Sequence, residues 1–576
     1  MRGNALPGVG GLLVALACAG GPAMVPTGTG PVPAEERVLT ILATNDLHGA
    51  LDGVLMSEVA GGRDGTLGGF DRVAGLLERL RADAGGPVLV ADVGDCFQGD
   101  LAMNRMEGMP CAEFFNAAGY DVRTIGNHEF DYAGCGPEKA GEPVADPTCA
   151  LRAVLARSRQ PIVVANVRRE GDGQRVEWPG TRPGVVLDID GIRVGVAGVV
   201  TRSTPYVSNR EGSRGLVFTD PVQEAREVVA DLRRQGASVV VLLAHVNGQC
   251  GRGSAMPGPG DRGCRLNGEL RALQEGLQGQ VDLILAGHAH AWLTGEKGPI
   301  PVLETPGQGS FVARARIRVD ARGKVLPGGV EALPLVPVCP AERPDSRVCQ
   351  PGWAGYVGPA PADPEVSALV ARWNETVAEE CRDVIAVATA DLLQRRGTES
   401  PMANLAADLM REAAAGTSDE GSGPADFAFV NAGGTRDSLR QGPLTRCDIF
   451  RVWPFEDPIV EIRMTGEEIQ QLAEKWVREV RKLPAVSGLR VSVYPGGRVV
   501  LRDPSGRPLD PSRWYRVVTS AYLVRGGDRM DGFFGKLPPD RFRVLGEGEP
   551  FREAAIRVLR RLGRIDPPST GRIEGF

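Results

Sequence analysis

The chain has 576 residues, 42% hydrophobic and 24% charged, with 77 Gly and 44 Pro. The composition is that of a globular protein, but the length exceeds what one hydrophobic core supports, so two or more domains are expected. Gly and Pro show no G-X-Y period, which excludes a collagen-like chain, and the formal charge of −6 carries no long block of one sign. A nucleic acid polymer is therefore not an expected partner.

In chain order, Arg2 followed by an apolar, Gly-rich stretch reads as an export signal, too short to span a bilayer. Val14-Ala15-Leu16-Ala17-Cys18 resembles a bacterial lipobox, so 1–18 is expected to be a signal peptide ending at a lipidated Cys18; cleavage after a small residue such as Ala23 is the alternative. The Pro/Gly/Thr-rich residues 19–36 form a tether. The expected location is outside the cytoplasm, periplasmic or at the cell surface, with the membrane reached only through the lipid. Of 11 cysteines, Cys18 aside, four pairs are sequence neighbours: Cys96 with Cys111, Cys135 with Cys149, Cys250 with Cys264, and Cys339 with Cys349. Cys381 and Cys447 remain. None has the C-x-x-C spacing of a structural zinc site, so disulfides in an oxidising compartment are expected, with connectivity open.

Apolar β-type runs follow at 38–44, 88–93, 162–166, 192–200, 239–244 and 281–286, alternating with helical patterns such as 221–235, which starts at Pro221 and is followed by Gly236. This is an α/β layered domain, 37–335. A Pro-rich linker and a helix over 365–380, together 336–385, lead into a second α/β domain, 386–576. There Thr465 and Glu468 form a capping box, and Ile469, Leu472, Ala473, Trp476, Val477 and Val480 share one helix face. Trp476 is thus a core residue.

All five histidines lie at or just after the end of a strand-like run: His48 in Thr44-Asn45-Asp46-Leu47-His48-Gly49, His128 in Gly126-Asn127-His128-Glu129, His245 after Val241-Leu242-Leu243-Ala244, and His288 and His290 in Gly287-His288-Ala289-His290. Asp95 follows its strand in Gly94-Asp95-Cys96-Phe97-Gln98-Gly99. Loops at the carboxyl ends of strands converge in open α/β sheets. A single Asp here would only cap a turn, but so many imply one cluster. Carboxylate, amide and imidazole without thiolate suit Zn, Mn, Fe or Co, and so large a ligand set calls for two divalent ions sharing a carboxylate.

The order D-x-H, G-D-x-x-x-G, G-N-H-E, H, G-H-x-H resembles the calcineurin-like metallophosphoesterases, and in detail the exported two-domain 5′-nucleotidases, whose bacterial members include UDP-sugar hydrolases. The resemblance covers about residues 37 to 570. It implies an N-terminal layered β-sandwich metallophosphoesterase domain flanked by helices, joined by a helix to a C-terminal α/β substrate-binding domain. One metal would be held by Asp46, His48, Asp95 and His290, the other by Asp95, Asn127, His245 and His288, with His128 and Asp131 as the catalytic pair.

In the second domain the resemblance implies that Asn431, Gly434 and Arg436 of Asn431-Ala432-Gly433-Gly434-Thr435-Arg436 face the substrate, although Ala432 and Thr435 depart from the family's Asn-Gly-Gly-Gly-Ile-Arg. Arg396, beside Arg395, matches a phosphate-binding arginine. Phe455 and Tyr522 match two aromatics that clasp the base, Tyr522 replacing the commoner Phe, and Asp528 matches a carboxylate for the ribose hydroxyls. The expected activity is cleavage of nucleoside 5′-monophosphates to nucleoside and phosphate. The alternatives are a UDP-sugar hydrolase or 2′,3′-cyclic nucleotide phosphodiesterase on the same scaffold, or a surface protein binding nucleotides without turnover.

Overall fold

The computed structural model describes residues 36–56, 66–135, 144–250, 264–341, 346–395, 398–415, 423–480 and 484–575. The signal peptide, Cys18 and Arg396 lie outside them. No helix among the described residues is long and apolar enough to cross a membrane.

The apolar runs are continuous rather than alternating because their strands are covered on both faces. In Arg37–Thr44, Leu39, Ile41 and Ala43 point into a core shared with a second sheet, while Leu42 points to helices on the opposite side. The first sheet has seven strands, in the order Val325–Pro337, Phe311–Val319, Arg37–Thr44, Val88–Asp92, Val122–Arg123, Ile162–Val163, Thr181–Arg182. The second has six: Leu293–Thr294, Val302–Glu304, Leu283–Gly287, Val239–His245, Ile192–Val200, Gly184–Ile189. Val194, Val196, Val241, Leu243 and Leu285 meet the first sheet, and Val240, Leu242 and Ile284 meet the helices Pro221–Arg234 and Gly268–Gly276. The result is a helix/sheet/sheet/helix sandwich. Arg37–Thr44, Val88–Asp92 and Val122–Arg123 run parallel, as do Ile192–Val200, Val239–His245 and Leu283–Gly287, so their carboxyl ends open together.

The second α/β unit centres on a five-stranded sheet ordered Pro484–Ser487, Phe427–Asn431, Trp514–Ser520, Ile459–Thr465, Phe542–Val544. Helices Pro401–Ala413 and Phe551–Leu562 cover one face and Gly466–Lys475 the other. Thr465 accepts from the Glu468 N–H and Glu468 returns to the Thr465 N–H, the expected capping box, and Trp476 is 1% exposed in the core.

The connecting segment differs from the single helix expected over 365–380. A helix runs Pro364–Glu375, capped by Asp363, and a separate turn runs Ala378–Cys381. The Thr376 hydroxyl donates to the Trp373 carbonyl at 2.6 Å, competing with the helical hydrogen bonds where the helix stops. Trp373 is fully buried in the first domain's core, its ring 6.4 Å from Phe70 and its indole N–H on Glu113. The helix is thus docked on the first domain, and the chain crosses over after it. Five disulfides join Cys96–Cys111, Cys135–Cys149, Cys250–Cys264, Cys339–Cys349 and Cys381–Cys447, the last tying the crossing to helix Arg446–Val452.

Candidate active site

The strand ends bring the histidines and carboxylates into one cluster. Asp46 (φ 51°), His48 (44°), Asp95 (57°), His288 (85°) and His290 (50°) are all left-handed, a conformation costing a non-glycine residue on the order of 1 kcal/mol or more and held only where the surroundings dictate it. Glycine lets the loops close up. A Cβ at Gly126 would stand 2.1 Å from Asp95 Oδ1, and one at Gly99 would stand 1.9 Å from the His48 carbonyl.

The geometry falls into two overlapping groups. His48 Nδ1 faces the Phe97 carbonyl (3.3 Å) and His290 Nδ1 the Pro306 carbonyl (3.2 Å), so each Nδ1 carries the proton. The two Nε2 lone pairs then lie 3.2 Å apart, with Asp46 Oδ1 at 3.4 Å from His290 and 3.8 Å from His48. Acceptors facing acceptors in a buried site suit a cation between them. In the other group His245 Nε2 lies 3.0 Å from Asp95 Oδ2 and 3.2 Å from Asn127 Oδ1, and His288 Nδ1 lies 2.6 Å from Asn127 Oδ1. Asp95 Oδ2 is also 3.9 Å from His48 Nε2, placing this carboxylate between the groups.

The charges in the cluster act on the two histidines in opposite directions. Burial opposes an imidazolium at His245, yet the Asp95 carboxylate outweighs it and the group is pushed up to about 10. Burial, then the Arg436 and His128 charges, holds His48 well below the ordinary range, leaving its imidazole neutral. Asp46, His48, Asp95, Asn127, His245 and His290 are buried. These donors fit divalent metal ions.

His128 stands beside this cluster, its N–H on Asp95 Oδ1 (2.7 Å) and its Nδ1 2.5 Å from Asp131 Oδ2. Asp131 is itself fixed by the Asn209 N–H (3.0 Å). Burial disfavours charge on His128, but Asp131 and Asp95 more than compensate and raise it. From the second domain, Arg436 Nη2 reaches to 2.9 Å from His128 Nε2 and 3.4 Å from His48 Nε2. Its guanidinium lies 5.3 Å from the Phe455 ring centre, and the His128 and Phe455 rings are 5.9 Å apart.

Asn431 and Gly434 form the strand end and 3-10 turn that deliver Arg436. Tyr522 packs on Gly527, where a Cβ would meet the ring at 2.5 Å, and its hydroxyl accepts from the Asp528 N–H (3.2 Å). Tyr522 and Asp528 are thus one local unit.

Several contributors were not singled out from the sequence. Glu129 is 1% exposed; its Oε1 accepts from the Cys96 and Phe97 N–H groups and its Oε2 from those of Asp95 and Gly126, joining two ligand loops. The G-N-H-E quartet could have flagged it. Arg451 Nε pairs with Asp100 Oδ1 (2.8 Å), and Asn104 Nδ2 donates to the Pro454 carbonyl (3.1 Å), both across the domains. Such pairings have no local sequence signal.

The family model for calcineurin-like phosphoesterases matches residues 39–292, and that for the 5′-nucleotidase C-terminal domain matches 384–534. The chain is 25% identical over 532 residues to Endonuclease YhcR of Bacillus subtilis, covering 88% of this chain and only 39% of that one. It is 26% identical over 582 residues to a 5′-nucleotidase of Diplobatis ommata, covering 93% of this chain and 89% of the relative. The crystal structure of a 5′-nucleotidase precursor from Thermus thermophilus superposes with a TM-score of 0.70 at 26% identity, over 93% of this chain and 99% of that one. The chain therefore belongs to the family that joins a calcineurin-like phosphoesterase domain to a 5′-nucleotidase C-terminal domain, and is a metal-dependent phosphomonoester hydrolase.

Proposed function

We propose that the protein hydrolyses nucleoside 5′-monophosphates to nucleoside and inorganic phosphate outside the cytoplasm. The observation that carries this reading is the meeting of Arg436 and Phe455, from the second domain, with His128 at the edge of the buried His/Asp cluster. A phosphate at the cluster and a base against the aromatic would then belong to one ligand.

In this reading Asp46, His48, Asp95 and His290 hold one ion and Asp95, Asn127, His245 and His288 the other. When bound, the ions supply Lewis-acid chemistry, drawing charge from phosphoryl oxygens and acidifying water. Arg436 binds the phosphoryl group through its forked donors and orients it, and Arg396 is proposed to do the same. His128, oriented by Asp131 at Nδ1, donates a hydrogen bond from Nε2 to the charge that grows on the phosphoryl group. Phe455 and Tyr522 stack the base, Asp528 accepts from the ribose hydroxyls, and Asn431 and Gly434 shape the turn carrying Arg436. The domain bounds 37–335 and 386–576, export, and lipidation at Cys18 belong to the same proposal; the five disulfides support an oxidising compartment.

The test is chromatographic identification of the products, with free phosphate measured beside them, from AMP, UMP, ATP, UDP-glucose, 2′,3′-cyclic AMP and single-stranded DNA, with Mn, Co or Zn added. AMP and UMP as the best substrates support the reading. Preference for UDP-glucose or the cyclic nucleotide moves the protein to another reaction on the same site, and cleavage of DNA alone removes the nucleotidase reading.

A further inference from the structure

Gln98 is 2% exposed, yet among the described residues neither its amide oxygen nor its amide nitrogen has a hydrogen-bond partner. Buried amides are nearly always paired, so an orphan needs a reason. Its backbone is also left-handed, φ 68°. That strain is maintained from outside: the Gln98 N–H donates to the Tyr132 hydroxyl (3.0 Å), which donates to Asn104 Oδ1 (2.6 Å). Strain and an unpaired buried polar group at one residue mark a position kept for a ligand.

Gln98 lines a small pocket together with His48, Asp100, Gln308, Arg436 and Arg451. His48 belongs to the candidate metal set, and Arg436 reaches both His48 and His128. Arg451 pairs with Asp100, two residues past Gln98, so the loop bearing Gln98 is clamped where the domains meet. With Arg451 paired to Asp100, the Arg436 guanidinium leaves the pocket suited to an oxyanion, to which the neutral Gln98 amide can donate through Nε2 without adding charge. A base is less well suited, since Phe455 lies by Arg436 and His128 and does not line this pocket.

We propose that Gln98 is a substrate-contacting residue whose amide donates to a phosphoryl oxygen bound by Arg436. This rests on the phosphohydrolase reading and extends it to a residue outside the metal ligands and the base clamp.

The experiment uses the full chain loaded with Mn or Zn. Gln98→Leu removes both polar atoms, and Gln98→Glu keeps the shape while turning a carboxylate toward the anion. Inorganic phosphate binding is measured by calorimetry, metal content by elemental analysis, and kcat/KM with AMP and with p-nitrophenyl phosphate. Gln98→Leu should weaken phosphate binding roughly tenfold and lower kcat/KM for both substrates by roughly 10- to 100-fold, the loss of one hydrogen bond to a charged group. Gln98→Glu should lose more, and metal content should match the parent. Parent-like phosphate affinity in both variants, no phosphate binding by the parent, or a loss confined to AMP overturns the assignment. Because calorimetry needs no turnover, a parent that binds phosphate through Gln98 yet releases none from AMP refutes the nucleotidase reading and spares this one.

Discussion

Glu129→Gln isolates the claim that the ligand loops are positioned from below. The carboxylate takes four backbone N–H groups, from Asp95 (2.9 Å), Cys96 (2.8 Å), Phe97 (3.2 Å) and Gly126 (2.5 Å). Two donors converge on each oxygen, so replacing either oxygen with NH2 leaves two buried N–H groups facing a donor. At roughly 1 to 3 kcal/mol for each unsatisfied buried group, the variant should lose on the order of 2 to 6 kcal/mol of local stability. These N–H groups belong to the loops carrying Asp95 and Asn127, so part of the loss should appear as metal affinity, roughly 10- to 100-fold, as for other residues that orient ligands. Chelator competition with Zn or Mn reads affinity, and a melting curve reads stability. Parent-like metal affinity and melting temperature would refute the reasoning.

Asp95→Ala should lose both ions and nearly all activity, whereas His128→Ala should keep the ions and lose turnover; elemental analysis beside an AMP assay decides. Phe455→Ala and Tyr522→Ala should each weaken use of AMP roughly tenfold or more while sparing p-nitrophenyl phosphate, because stacking on an aromatic contributes about 1 to 3 kcal/mol per base. Equal loss on both substrates would make the aromatics structural. Burial pushes Asp92 up to about 7 from 3.8, against the pull of the Thr44 hydroxyl and the Gly94 N–H. A carboxyl raised in the folded state destabilises it as pH climbs: the cost is absent below about 3.8, complete above about 7, and on the order of 4 kcal/mol. Asp92→Asn should therefore melt higher than the parent at pH 8, and the gap should close toward pH 4. A gap that does not change with pH would contradict this.

The strands were legible because both faces of each sheet are buried, turning their sequences into unbroken apolar runs. The cluster was legible because parallel strands end on one edge, so residues far apart in sequence, such as Asp46 and His288, needed only their motifs to be placed together; the His288 N–H in fact donates to Asp46 Oδ2 at 2.9 Å. The break at Thr376 was hidden because the helical pattern continues through it, while the Thr376 and Val377 N–H groups turn to the Trp373 and Asn374 carbonyls three residues back and the Thr376 hydroxyl joins the first of these. Docking of the helix through Trp373 is a tertiary event with no local signal. Left-handed backbone at Asp46, His48 and Gln98 was invisible because these residues, unlike glycine, do not advertise it. Glu129 stood in a motif, but its role lies in backbone groups of a loop more than 30 residues away, at 95 to 97.

The central claim is that a metal-dependent centre shared by the two domains releases phosphate from a nucleotide. The most direct measurement is phosphate release from AMP by protein stripped with chelator and then reloaded with Mn, Co or Zn. The account predicts no release from the stripped protein, recovery on reloading, and failure of Arg436→Ala to recover despite normal metal uptake. Undiminished release by the stripped protein, or full activity in Arg436→Ala, would contradict it.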